Sequence, residues 1–345
     1  MNVFQSSKSI KINKLLSLAY LFFLLFLIGS CRVPKMQIQT EYLQREITTK
    51  AGPEDIVLDT VSTNYPRLIV SCDNRRTTEK SGFIQAIDLK TEEVIVLERT
   101  NEPASLVFHP HGIDVVKLSD GTSKLYVVNH NEAANEQSIL IYKIAQNQLV
   151  FEKQLIDKQL VSPNDVAGDA SGKIYTGNEF HKRDAKGSAL LGLKNGYFVQ
   201  FDGKQFSKRE TKFCYANGLA VYKDQLLTVG SRNRFLYKAP LDFKKDSKKV
   251  KITKLSGADN ISVFGDKAYI ACHVNLFKFI KHAKSAKNSS PTVVYEVDLL
   301  TNERKLLYTN TDGTINGAAT AILYKGKLYL SQVFEPYILV VEKVK

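Results

Sequence analysis

The chain has 345 residues, 43% of them hydrophobic, with 48 Lys and Arg against 35 Asp and Glu, a formal charge of +13. That length admits two ordinary domains or one large all-β domain, and it suffices to bury a core without covalent staples. The four cysteines show no Cys-x-x-Cys spacing, so they supply neither a zinc ribbon nor a disulfide framework.

The first predicted element is a targeting signal. Lys8, Lys11 and Lys14 precede an apolar run from Leu15 to Ile28 that ends in small residues. The run is short for a membrane span, and it stops at Ile28-Gly29-Ser30-Cys31, which reads as a lipobox with Cys31 as the lipidated residue. Residues 1–30 are expected to be a signal peptide, 31–50 a lipidated linker and 51–345 the folded domain. Arg32 offers no inner-membrane retention signal, so the expectation is a bacterial outer-membrane anchor facing the periplasm. An ordinary secretory signal or an uncleaved anchor would also export the domain.

Without the three signal lysines the charge is about +10, and export argues against a nucleic-acid partner. The densest lysine clusters, Lys244 to Lys254 and Lys278 to Lys287, lie in turn-rich stretches. They read as solvated loops, with attraction to an anionic membrane as the alternative. Cys72, Cys214 and Cys272 read as buried small hydrophobes.

Along the rest of the chain one short apolar strand recurs six times. The copies are Leu68 to Cys72, Leu125 to His130, Ile174 to Asn178, Leu226 to Gly230, Ala268 to His273 and Leu328 to Gln332. Their spacing of roughly fifty residues is that of a four-stranded propeller blade. A second β-rich run with period-two alternation follows, as in Phe83 to Leu89 and Val293 to Leu299. Asp120-Gly121, Ser171-Gly172, Asp202-Gly203, Gly265-Asp266 and Lys325-Gly326 supply the positive φ of tight hairpins. The predicted fold is all-β, a six-bladed propeller, in which a site on the axis must draw residues from every blade.

About ten to fourteen residues before each repeated strand stands a polar pair. The pairs are Glu54-Asp55, His111-Gly112, Asn164-Asp165, Asn217-Gly218, Asp259-Asn260 and Asn316-Gly317. Any one of them alone is an ordinary turn former. Six in blade register point instead to an axial site. Carboxylates and carboxamides without thiolates suit a hard cation such as Ca²⁺.

Phe108-His109-Pro110-His111-Gly112-Ile113, Leu125 to His130, Tyr215-Ala216-Asn217-Gly218, Asp259 to Val263 and Cys272-His273 resemble, in order, the motifs of the paraoxonase/arylesterase family. The resemblance runs from about Glu54 to Phe334 and implies two calcium ions in the central channel. It makes Glu54, Asn164, Asn217, Asp259 and Asn260 ligands of a catalytic calcium. Asp55, Asp165 and the Ile113 carbonyl become ligands of a deeper structural calcium. His111 and His130 become the pair that deprotonates the attacking water, with Glu54 as a rival base. The implied substrates are small esters or lactones.

The chain departs from the family at Asn178-Glu179-Phe180-His181, where phenylalanine replaces a histidine, and it lacks a disulfide joining the chain ends, so ring closure is expected to rest on strand pairing. No Gly-x-Ser-x-Gly elbow is present, which leaves water as the nucleophile. The alternatives are a non-catalytic, calcium-stabilised propeller that binds a ligand or envelope partner, and a sugar-lactonase of the related gluconolactonase type.

Overall fold

The computed structural model describes residues 42–77, 81–182, 187–241 and 248–343. The expected signal peptide and Cys31 lie outside them, as do Lys244 and Lys245. Among the described residues no helix is long and apolar enough to cross a membrane.

Among the described residues, alternating runs of Val, Ile, Leu and aromatic residues form six sheets built on four antiparallel strands, which run in sequence order from the axis outward in all but the last blade, whose outer strand is Tyr42–Thr48. The innermost strands are Pro53–Asp59, Pro110–Lys117, Pro163–Gly168, Ala216–Tyr222, Ala258–Phe264 and Ala318–Tyr324. Neighbouring inner strands pack side by side, and the first also packs against the last, so the six close a ring. The second blade gains a short edge, Glu98–Thr100, paired parallel to the start of Gln148–Ile156. The recurring apolar strand is the second strand of each blade and is almost wholly buried.

The predicted hairpin residues Gly121, Gly172, Gly203, Gly265, Lys325 and Gly326 all adopt positive φ. Core residues of one blade interlock with those of the next: Ile69 and Ile84 of the first pack with Val127 and Tyr142 of the second. Each fully buried side chain of this kind contributes about 1.5–3 kcal/mol.

The strand Tyr42–Thr48 lies within the segment read as a linker, yet it pairs antiparallel with Tyr337–Lys343, with Tyr42 opposite Lys343. The propeller therefore begins before residue 51. Little in the sequence announces this edge strand, because most of its side chains face solvent. Strand pairing between the termini closes the ring, as the missing disulfide requires.

The second lysine cluster also departs from expectation: Lys278, Lys281 and Lys284 stand on a helix, Leu276–Lys284, and not in a loop. In the first cluster, Lys251 and Lys254 belong to the strand Val250–Lys254, and Lys251 covers the Phe235 ring at 4.6 Å.

Candidate metal centre

All six inner strands share one irregularity near their N-terminal ends. Register against the second strand slips between Pro53 and Asp55, Pro110 and Ile113, Pro163 and Val166, Ala216 and Leu219, Ala258 and Ile261, and Ala318 and Ala321. Such a slip bends the strand and re-aims its side chains. The residues caught within it are Glu54, His111-Gly112, Asn164-Asp165, Asn217-Gly218, Asp259-Asn260 and Ala319-Thr320. Five of the six predicted pairs thus fall at the irregularity. The sixth does not: Asn316 is a turn former whose side chain bonds Ser290 N at 2.7 Å and Gly313 O at 3.0 Å. Thr320 takes the axial place in the last blade.

Glu54, Asn164, Asn217, Asp259 and Asn260 are all buried. Their contacts tie them together across the ring. Asn260 Nδ2 donates to Glu54 Oε1 at 3.3 Å and to Thr320 Oγ1 at 2.9 Å. Asn217 Nδ2 donates to Asp259 Oδ1 and, at 2.9 Å, to Ser231 Oγ. Asn164 Nδ2 donates to Glu179 Oε1 at 2.7 Å. Each carboxamide therefore spends its N–H on a neighbour, and its oxygen is left over. Asn164 Oδ1, Asn217 Oδ1, Asn260 Oδ1 and Glu54 Oε2 are buried without any hydrogen-bond partner.

A buried oxygen left unsatisfied costs about 1–3 kcal/mol, and four from separate blades are an arrangement that a cation with six to eight oxygen ligands would satisfy. Among the described residues no three His, Cys, Asp or Glu side chains form a metal-binding group. The axial set reaches its donor number through carboxamides, which Ca²⁺ accepts.

Electrostatics point the same way. Burial pushes Glu54 up to about 7, with Arg75 opposing and Asp259 reinforcing the shift. Asp259 is likewise pushed up to about 7 by burial. Asp55 and Asp165 are raised well above the usual carboxylate range, first by burial and then by a neighbouring acid, Glu54 for Asp55 and Asp55 for Asp165. The Arg75 guanidinium, 3.9 Å from Glu54 Oε2, opposes the shifts of Glu54 and Asp259, and it is not among the causes acting on Asp55 or Asp165. Protonation or a bound cation must relieve the remainder.

The pair assigned to a deeper ion differs in kind. Asp55 accepts from Ile56 N at 2.9 Å, Ile113 N at 2.8 Å and Thr320 Oγ1 at 2.7 Å. Asp165 accepts from Val166 N at 2.7 Å and Leu219 N at 2.9 Å. Both carboxylates brace adjacent inner strands through backbone donors, and Ile113 meets Asp55 through its amide.

His111 Nδ1 lies 2.8 Å from His130 Nε2, with the rings edge to face. His130 Nδ1 in turn contacts Gln137 Oε1. Because a carboxamide oxygen only accepts, His130 Nδ1 carries a proton; in the neutral imidazole its Nε2 then accepts, and His111 Nδ1 is the donor. That leaves His111 Nε2, 3.7 Å from Glu54 Oε2, with a free lone pair facing the metal ligands. Burial, Arg75 and His130 hold the His111 pKa well below its ordinary value, so the ring is neutral.

His273 has Nε2 3.3 Å from Asp259 Oδ2 and stacks on Phe279 at 4.2 Å. Arg75, Glu179, Ser231, His273 and Thr320 all touch the axial set and escape the sequence reading. Their signal is register: Ser231 directly follows, and His273 ends, a repeated strand. His109, left out of the predicted site, pairs with Asp73 at 3.0 Å. Phe180, standing where the family pattern has histidine, is buried against Tyr215 with ring centroids 5.3 Å apart.

The sequence model of the family described as Arylesterase matches residues 46–339. Human serum paraoxonase/arylesterase 1 is 26% identical over 276 residues, covering 73% of this chain and 75% of that protein. Human serum paraoxonase/lactonase 3 is 25% identical over 240 residues, covering 66% and 67%. Among solved structures, a gluconolactonase from Xanthomonas campestris aligns with a TM-score of 0.57 at 12% identity, over 91% of this chain and 94% of that one. A calcium-binding regucalcin from Agrobacterium tumefaciens gives 0.55 at 14%, over 88% and 95%. The structural likenesses speak for the propeller; the match over residues 46–339 places this chain in the arylesterase family.

Proposed function

We propose that the chain is a calcium-dependent hydrolase of small esters or lactones. The observation that carries this reading is the set of orphaned oxygens on Glu54, Asn164, Asn217 and Asn260, gathered with Asp259 at one end of the inner strands. These five would hold a catalytic Ca²⁺, and Asp55, Asp165 and the Ile113 carbonyl a second, structural ion. Bound calcium would polarise the substrate carbonyl and favour negative charge on its oxygen. The family membership and the names of the relatives support esters and lactones as the substrate class.

The remaining chemistry belongs to the chain. Neutral His111 presents Nε2 as a base toward water held beside Glu54. His130, anchored on Gln137, fixes the tautomer that makes this possible and accepts the Nδ1 proton of His111 in a hydrogen bond. Asp259, braced by Asn217 and His273, keeps its carboxylate aimed inward.

Phenyl acetate and five- and six-membered lactones, assayed with and without a chelator, test the reading. Turnover is expected to vanish on chelation and to return with Ca²⁺, and Asn217→Ala is expected to lower it by at least about 100-fold, as loss of a metal-site contact does. Turnover indifferent to chelation would remove the proposal. Anchoring through lipidated Cys31 to the outer membrane, facing the periplasm, is part of the same reading, and retention of a Cys31→Ser variant in the membrane fraction would oppose it.

A further inference from the structure

A turn at residues 75–77 follows Arg67–Cys72, the second strand of the first blade. Pro53 pairs with Cys72, so the turn stands at the end of the blade that carries Glu54. Its two arginines go to different places. Arg76 is spent on the neighbouring wall: Nη1 donates to Glu335 Oε1 at 2.7 Å and Nη2 to His282 O at 2.7 Å, and the guanidinium covers the Phe334 ring at 4.4 Å. Asn74 Oδ1 accepts from Arg76 N at 3.2 Å, so the turn is fixed on both sides.

Held by that turn, Arg75 reaches the axial residues. Its guanidinium lies 3.9 Å from Glu54 Oε2, with a fifth of the side chain exposed, and its charge acts on Glu54, Asp259 and His111, which belong to the first, fifth and second blades. Little of the guanidinium is used. It carries five N–H donors in a planar fork, and its one hydrogen bond among the described residues runs from Nη1 to Asp73 O at 3.3 Å. The contact with Glu54 is too long to be another, and Oε2 stays orphaned. Arg45, Arg67 and Arg76, by contrast, each meet a carboxylate oxygen at 2.6–2.9 Å. A cation held by Glu54 would answer that carboxylate's charge and leave the Arg75 fork for whatever enters the channel. The surroundings share its sign: two connections at the same end, residues 231–234 and 274–291, hold six Lys and Arg and no Asp or Glu. Such a bias draws anions toward the site.

We infer that Arg75 binds a carboxylate on the molecule that enters the channel, through two parallel N–H···O bonds from its fork. A neutral ligand would leave a largely buried guanidinium without a partner, and it is this loss that discriminates between ligands. The substrate class that follows rests on the hydrolase reading: an ester or lactone that bears an ionised carboxylate besides the acyl group to be cleaved, with Arg75 as the residue that selects it.

Two phenyl esters of glutaric acid test it in the full-length protein: the monoester, which keeps a free carboxylate, and the methyl phenyl diester, which does not. By phenol release, kcat/KM for the monoester is expected to exceed that for the diester by at least about 10-fold, and R75Q to shrink that ratio by a similar factor, the scale of a hydrogen bond to a charged group. R75K, which keeps the charge and loses the fork, should retain part of the ratio, and it carries the test if R75Q disturbs the melting curve. A second arm needs no turnover: with Ca²⁺ present, glutarate is expected to raise the Tm of the wild type and to raise that of R75Q less. A wild-type ratio near one, a ratio that survives R75Q, or an equal glutarate shift in the two proteins would each overturn the inference. If neither ester turns over while the glutarate shift still depends on Arg75, the hydrolase reading falls and the carboxylate site stands.

Discussion

Gly112 and Gly218 bind nothing, yet the spacing of the axial residues rests on them. A Cβ on Gly112 would lie 2.5 Å from Asp165 Cα and 2.8 Å from its Oδ1, and one on Gly218 would lie 2.3 Å from Asp259 O. Neither glycine has positive φ, so what each supplies is room for the neighbouring blade. Gly112→Ala is expected to push Asp165 off its backbone donors and to cost about 1–3 kcal/mol by overpacking, measured as a lowered midpoint in urea. Glu54, Asn164, Asn217, Asp259 and Asn260 are legible in the sequence because each stands in a polar pair shortly before a repeated strand. Thr320 is not, because Asn316-Gly317 offers a stronger local signal four residues earlier and threonine is unremarkable in a strand. Local turn chemistry and axial register compete there, and only the strand pairing decides between them.

At the scale of elements, alternation and hairpin glycines suffice to read the strands, and the repeat suffices to count the blades. What escapes is whatever depends on a distant partner. Arg67 is one of the largest fully buried side chains; it bonds Asp59 Oδ2 at 2.9 Å in its own hairpin and Gln146 O at 3.0 Å in the second blade. No local pattern marks an arginine at the start of an apolar strand for burial. Arg67→Met is expected to destabilise the fold by about 3–5 kcal/mol, because Asp59 would remain buried without its counter-ion. Double substitution with Asp59→Asn should recover part of that loss in a double-mutant cycle. The helix Leu276–Lys284 escapes for a related reason: it is short, and its inner face is organised by His273 and Glu335 from other segments.

On the scale of the whole molecule, the last blade borrows its outer strand from the beginning of the chain. Arg45 of that strand bonds Glu92 of the first blade and, at 2.6 Å, Glu342 of the closing strand. Removing the residues before Thr49 would bare the edge of Tyr337–Lys343, and unpaired edges template aggregation. Such a truncation is expected to melt several degrees lower and to scatter light on heating, read by calorimetry and light scattering.

The same seam runs through the axial site. Ser331 Oγ donates to Glu54 O at 2.6 Å, Thr320 Oγ1 to Asp55 at 2.7 Å and Asn260 Nδ2 to Glu54 at 3.3 Å, pairs more than two hundred positions apart along the chain. Contacts so remote form late, after the intervening loop has lost its freedom. During synthesis or export, the first blade must wait for the strands Ala318–Tyr324 and Lys327–Gln332 before Glu54 and Asp55 meet these neighbours. An ion gripped there would act as a clasp on a finished hoop, so loading reports that the chain has arrived whole.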